Sequence, residues 1–209
     1  MRILEVEART PHLARAREFY AGVLGFPVTQ ESDEGFTVAA GNSTLAFRAG
    51  EVSGVYHLAF NVPENRFPEA ESWARARFPL LTGPEGRERF RFESWDADAL
   101  YFTDPDGNIL ELIARHTLPG SRREGFEILS LSEVALVTDD VPTLAASLGL
   151  PCYKSGGENF QAVGDEEGLL ILVRAGRLWF PDQALPAAVV PLVVTLEEDA
   201  GRWVLRYGA

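Results

Sequence analysis

A single cysteine, Cys152, among 209 residues rules out any disulfide within the chain and suits a reducing cytosol. Cations are also scarce: 19 Lys and Arg stand against 31 Asp and Glu, a net charge of −12. A surface of that sign repels phosphate backbones and anionic lipid headgroups, so neither nucleic acid nor a membrane surface is an expected partner. Long apolar runs are missing as well. The longest lies near residues 184–196 and is broken by Pro186 and Pro191, too short to span a bilayer. The first residues, Met1-Arg2-Ile3-Leu4-Glu5, are charged too early for a signal peptide. These absences lead to the expectation of a cytoplasmic protein. No phosphate-cradling glycine loop occurs; Gly156-Gly157 reads as a turn. Histidine is limited to three residues, which confines any imidazole chemistry to His12, His57 or His116.

What remains is ordinary globular material, 46% hydrophobic and 24% charged, with enough chain to bury a core. Its order is repetitive. Residues 3–9 read as a strand and 11–24 as a helix. Strands follow at 26–31, 35–40 and 43–49, with turns at Asp33-Glu34-Gly35 and Gly41-Asn42. This is a βαβββ unit. A second begins at Val55, with a helix over 66–78 and strands at 89–93, 98–103 and 108–114. A third begins near Ile128, and Val189 to Ala209 leaves room for a truncated fourth. Glu5-Val6 recurs as Glu133-Val134, Leu24-Gly25-Phe26-Pro27 as Leu148-Gly149-Leu150-Pro151, and Arg48-Ala49-Gly50 as Arg174-Ala175-Gly176. Three matches in order at nearly one offset mark a tandem repeat. The fold expected is α+β: tandem βαβββ units forming a curved mixed-sheet cup. Residues 1–115 are expected to pair two units around the cup, 116–126 to act as linker, and 127–209 to hold the third unit and the truncated fourth.

Strand alternation sorts the candidates. Leu4, Val6 and Ala8 share one face of the first strand, with Glu5, Glu7 and Arg9 opposite. Leu58, Phe60 and Val62 share a face, with His57, Ala59 and Asn61 opposite. Leu110 and Leu112 leave Glu111 on the other side. Three strands thus set an apolar face against one holding a metal-ligand residue type.

Three segments carry a family likeness: Glu18-Phe19-Tyr20-Ala21-Gly22-Val23-Leu24-Gly25-Phe26, Tyr56-His57-Leu58-Ala59-Phe60-Asn61-Val62, and Phe102-Thr103-Asp104-Pro105-Asp106-Gly107-Asn108-Ile109-Leu110-Glu111-Leu112. Over residues 1–115 the chain resembles the vicinal oxygen chelate superfamily, the group of glyoxalases, bleomycin-resistance proteins and extradiol dioxygenases. The resemblance implies one divalent metal in the cup. It places the first-strand ligand on Glu5, where the family usually has histidine, the second-unit ligand on His57 and the last-strand ligand on Glu111. The remaining position falls near Ala46, which has no ligand atom. One imidazole and two carboxylates favour oxygen-loving ions such as Mn(II), without separating Mn, Fe, Ni and Zn. Open coordination positions would accept adjacent oxygens of a small-molecule substrate, and Glu5 or Glu111 would serve as base. Arg9, Asn61 and Tyr101 are the candidate substrate contacts.

Two functions follow from the resemblance: a metal-dependent lyase, isomerase or ring-cleaving dioxygenase, or a metal-free cup that sequesters a small ligand. A scaffold that keeps only the fold is a third. A homodimer is compatible with each. Extradiol cleavage needs a further acid–base histidine, and neither His12 nor His116 is well placed for it. One ion per chain is expected. Glu133 matches Glu5, but Pro191 stands nearest to a counterpart of His57 and nothing matches Glu111, so the second half is expected to be a structural companion.

Overall fold

The computed structural model describes residues 1–208. Its first unit runs β1 (Arg2–Thr10), α1 (Leu13–Arg17, continued as a π-helical stretch over Glu18–Val23), β2 (Val28–Ser32), β3 (Gly35–Ala40) and β4 (Ser43–Ala49). The second runs β5 (His57–Asn61), α2 (Phe67–Arg75), β6 (Arg89–Phe92), β7 (Ala97–Thr103) and β8 (Ile109–Arg115). The third runs β9 (Ser130–Thr138), α3 (Val141–Leu148), β10 (Cys152–Gly157), β11 (Phe160–Asp165) and β12 (Gly168–Arg174). Two strands, β13 (Leu192–Glu198) and β14 (Gly201–Tyr207), close the chain. Helix α3 shows how local chemistry sets the ends. Asp140 caps it by accepting from the Thr143 N–H at 3.0 Å, proline occupies its first turn, and Gly149 stops it in the left-handed region at φ 67°.

The units pair across the chain, not in sequence order. One sheet has the order β14-β13-β1-β4-β3-β2, the other β10-β11-β12-β9-β5-β8-β7-β6. Unit one therefore joins the truncated unit, and unit two joins unit three. This corrects the expectation that residues 1–115 close a cup between themselves. The open edge of β5 is taken by β9, with Ala59 opposite Glu133, while β1 pairs with β13, with Glu5 opposite Thr195. Both first strands carry an irregularity just before the glutamate, so the repeat is preserved in backbone detail.

Inner faces of both sheets and the three helices share one core, with Val6, Phe47, Leu58, Phe60, Leu110, Leu112, Val134 and Leu136 fully or almost fully buried. A second apolar cluster, including Ala59, Tyr101, Ile113, Ala135, Ile171 and Trp179, fills the concave outer face of the eight-stranded sheet. Strands β5 and β8 are consequently buried on both faces along their whole length. Among the described residues, no helix is long and apolar enough to cross a membrane.

Two of the three segments that carry the family likeness are joined physically. The Asp104 carboxylate accepts from the Asp106 and Asn108 N–H groups, both at 2.9 Å, and from Asn108 Nδ2 at 2.8 Å, which shapes the turn into β8. It also accepts from the buried Tyr20 hydroxyl of the first helix at 2.9 Å. The hairpin motif is thus a splice between the two units, not a reactive group. Tyr20→Phe is expected to cost about 1–2 kcal/mol, since a buried acceptor loses a partner, with metal binding unchanged. Urea unfolding beside a metal titration would check both halves of that statement.

Candidate metal centre

The site lies on the concave face of the eight-stranded sheet and is built by register. Ala59 on β5 stands opposite Glu111 on β8 and opposite Glu133 on β9. The two glutamates are thus two strand spacings apart, roughly 10 Å between backbones, with only the Ala59 methyl group between them. Their side chains close that gap. His57, two residues before Ala59 and on the same face, completes the group. Its Nε2 lies 3.4 Å from Glu111 Oε2 and 3.9 Å from Glu133 Oε2. One donor atom from each of the three residues lies within 4.8 Å of the others, and all three residues are buried.

Donors bound to one ion at about 2.1 Å stand roughly 3–4.2 Å apart. The observed separations meet that requirement with little movement, and one imidazole with two carboxylates suits a borderline or hard dication. On β12, Ile171 pairs with Ala135 as Glu111 pairs with Ala59. The position symmetric to Glu111 is therefore occupied by a residue without a ligand atom.

Two of the three sequence-derived ligand positions, His57 and Glu111, come together here; Glu5 does not. Its strand belongs to the other sheet, where its carboxylate accepts from Thr44 Oγ1 at 3.0 Å and its cross-strand neighbours are Thr44 and Thr195. Because Thr195 occupies the place of Ala59, the register counterpart of His57 is Val193, not Pro191, and the residues paired with Glu5 supply no imidazole or second carboxylate. Glu133, the repeat partner of Glu5, stands in the cluster instead. The third unit is accordingly part of the cup and not merely a companion.

The candidate substrate contacts divide in the same way. Tyr101 lines the cup, its ring 6.3 Å from that of His57. Arg9 is exposed on β1 of the other sheet. Asn61 is buried at the end of β5, but its amide donates to the Glu166 carbonyl at 3.4 Å and borders a separate cavity.

Arg115 ends β8 on the Glu111 face. It is buried, donates to Glu133 Oε1 and, at 3.1 Å and 3.3 Å, to Ser132 Oγ. The rings of Trp95 and Tyr153 cover its guanidinium, with centroids at 5.5 Å and 5.7 Å. One oxygen of Glu133 is thereby engaged, and the other faces His57.

Charge follows geometry. Burial, then the neighbouring charge of Glu133, raises the Glu111 carboxyl well above the ordinary carboxylate range. Burial would raise Glu133 too, but His57 and Arg115 outweigh it and hold that carboxyl low. Burial, then the charges of Glu111 and Glu133, keeps the Tyr101 phenol protonated. A carboxyl raised on folding favours the fold only while it holds its proton, so stability is lost as pH rises through the folded-state value. Metal-free protein is therefore expected to weaken through this group as pH rises above the ordinary carboxylate range, and Glu111→Gln to remove that part of the slope, as denaturant midpoints in mild acid and in mild alkali would reveal.

Above the cluster is a cavity of about 260 Å³ walled by Phe92, Trp95, Tyr101, Phe160, Trp179 and Phe180. The last two come from a strap over residues 176–187, whose ends are tied by Gly176 N–H to the Ala187 carbonyl and Trp179 N–H to the Leu185 carbonyl.

The profile of the Glyoxalase/Bleomycin resistance protein/Dioxygenase superfamily matches residues 2–112. The chain is similar to metallothiol transferase FosB of Staphylococcus haemolyticus, 31% identical over 108 residues that cover 48% of this chain and 74% of the relative. FosB of Staphylococcus epidermidis is 30% identical over the same extent. Among solved structures, glyoxalase I from Zea mays (the V278E variant) superposes with a TM-score of 0.60 at 14% identity, covering 99% of this chain and 92% of that one. An inferred dioxygenase from Bacillus subtilis subsp. subtilis str. 168 does so at 0.65 and 18% identity, covering 96% of this chain and 72% of that one. Both share the fold across nearly all of this chain. The chain belongs to the glyoxalase, bleomycin resistance protein and dioxygenase superfamily.

Proposed function

We propose that the protein is a metal-dependent enzyme of the glyoxalase or dioxygenase type, acting on a small oxygen-rich molecule at a centre formed by His57, Glu111 and Glu133. The observation that carries this reading is the convergence of three buried donor atoms within 4.8 Å on the floor of an otherwise apolar cup. Isolated buried carboxylates are costly unless paired or bound to an ion, and here two face one imidazole. The names of the similar transferase, glyoxalase and dioxygenase agree with metal chemistry without choosing among reactions.

When bound, a divalent ion supplies Lewis acidity toward a substrate oxygen. The protein supplies the rest. His57 Nε2, Glu111 Oε2 and Glu133 Oε2 are the donors, and Arg115 keeps Glu133 from swinging away. Glu111, whose proton affinity burial raises, is the group placed to take or return a proton. Tyr101 keeps its own proton beside Glu111 and offers an O–H to a developing negative charge. The aromatic walls exclude water.

A second reading is a metal-free binding cup. It draws on Arg115, which compensates Glu133 without any ion. Metal analysis decides between them. One equivalent per chain, lost in His57→Ala, supports the enzyme reading. Two equivalents, or one that survives the substitution, refutes this centre. None at all, after exposure to Mn(II), Fe(II), Ni(II) and Zn(II), leaves the binding protein.

A further inference from the structure

We infer that the cup is selective for a small planar molecule with an apolar ring body and one anionic group, the anion lying at the rim against Arg177 and the oxygen-bearing end at His57. The assignment of the oxygen-bearing end rests on the metal-centre reading; the ring and anion parts stand on the cup alone.

Size comes first. A cavity of about 260 Å³ lies below the range of about 300–1,000 Å³ common for drug-sized ligands, so one or two rings fill it. Wall chemistry comes next. Trp179 lies 5.8 Å from the His57 ring, tilted by 40°, and Tyr101 lies 6.3 Å from it at 28°. Further up, Trp95 meets Phe160 at 6.3 Å. These faces favour a flat ring by offset or edge contacts, whereas a flexible polar chain would lose its hydration against them without compensation. The Trp179 indole N–H is buried and has no acceptor among the described residues. An oxygen held beside His57 is the acceptor such a donor lacks.

The rim supplies the charge. Arg177 lines the cup and is exposed, its guanidinium 5.4 Å from the Phe160 ring centre. Among the described residues no carboxylate pairs with it, although acids outnumber bases in the chain. The other nearby cation, Arg115, is buried behind the lining, with Nε and Nη2 bound to Ser132 and Glu133; its Nη1 has no partner among the described residues but lies under Trp95 and Tyr153, away from the mouth. In a protein of net charge −12 an anionic ligand approaches against the overall field, so an uncommitted cation at the mouth is a selectivity element. A peptide thiol such as glutathione, with several charges along a flexible chain, finds only one matching group.

The test uses metal-free protein and tryptophan emission, because Trp95 and Trp179 both line the cup. Naphthalene-1-carboxylate is titrated beside the uncharged naphthalen-1-ylmethanol, with gluconate and glutathione as polar controls, into wild type and Arg177→Gln. Arg177 is exposed, and circular dichroism of the variant checks that the fold is kept. Saturable quenching by the carboxylate is expected, about fivefold tighter than the alcohol in wild type, with the preference gone in Arg177→Gln, the size of one partly screened charge contact. Gluconate and glutathione should not saturate. A preference that survives in the variant, no saturation by either naphthalene compound, or tighter binding of glutathione each overturns the inference. Because no ion is present, the outcome is separate from the metal-centre reading: a dication bound at His57 with no ring binding sinks only this inference, and ring binding in a protein that never takes a dication sinks only that centre.

Discussion

Glu133→Gln is expected to release the divalent ion, and Glu5→Gln to retain it. The loss of affinity in Glu133→Gln should exceed the roughly 10–100-fold typical of residues that merely support a ligand, because one of three donors is replaced by a neutral amide. The two residues are repeat counterparts, so each serves as the other's control. Glu133 faces His57 at 3.9 Å across a sheet that also carries Glu111. Glu5 meets only threonine side chains at the same register of the other sheet. Isothermal titration with Mn(II) and Zn(II) of the two variants and wild type reads the difference directly. Equal loss in both, or loss only in Glu5→Gln, would return the centre to the first unit and remove the basis of the proposed function.

That contrast also shows how far the sequence reaches. Alternation correctly put His57 and Glu111 on faces opposite the core, and strands β3 and β4 begin and end where turn chemistry places them. These are local properties, set by a two-residue period and by glycine and asparagine at the turns. The repeat marks Glu133 as a potential ligand, but reading each unit by itself leaves it a lone carboxylate. A signal that favours it over Glu5 is present in the residues. On β1 the face of Glu5 also carries Glu7 and Arg9, a solvated row. On β9 the face of Glu133 continues with Ala135 and Val137, and a lone acid on an apolar face needs a partner. What no local pattern contains is that β9, whose Glu133 lies 74 residues beyond its partner Ala59 and past the rest of the second unit, lies beside β5. Such pairing rests on long-range packing.

The helix expected over residues 11–24 shows a smaller gap: it is α-helical only to Arg17 and widens into π turns over Glu18–Val23, which spacing alone does not reveal. The aromatic roof was the least legible part. Trp179 and Phe180 sit on an irregular strap whose side-chain directions follow no period, and Trp95 is the last residue of a short 3₁₀ turn. Arg115, in contrast, was readable: it is four residues after Glu111 on one strand and so shares its face, which places a cation beside the carboxylates.

Arg115 is also where the largest loss of stability is expected. Arg115→Met should cost about 3–5 kcal/mol, the usual penalty for removing one partner of a buried ion pair, and a large share of the 5–15 kcal/mol by which a domain is normally stable. The guanidinium is fully covered, satisfies Glu133 and Ser132, and is stacked under Trp95 and Tyr153. Methionine fills part of that volume but leaves Glu133 ionised against Glu111 in an apolar wall. Without the cation, only His57 opposes burial at Glu133, and the proton affinity of that carboxyl rises. A carboxyl raised in this way favours the fold below its unfolded-state value and loses that contribution as pH rises through the folded-state one. The deficit of Arg115→Met should therefore be small in mild acid and grow toward neutral and alkaline pH. The double variant Arg115→Met with Glu133→Gln removes the unpaired charge, and it should recover most of the loss and flatten the pH dependence. Denaturant unfolding of metal-free wild type, both single variants and the double variant across that pH range measures the coupling. A single-variant loss that is independent of pH and not rescued by Glu133→Gln would mean that Arg115 acts only through its packing under the two rings.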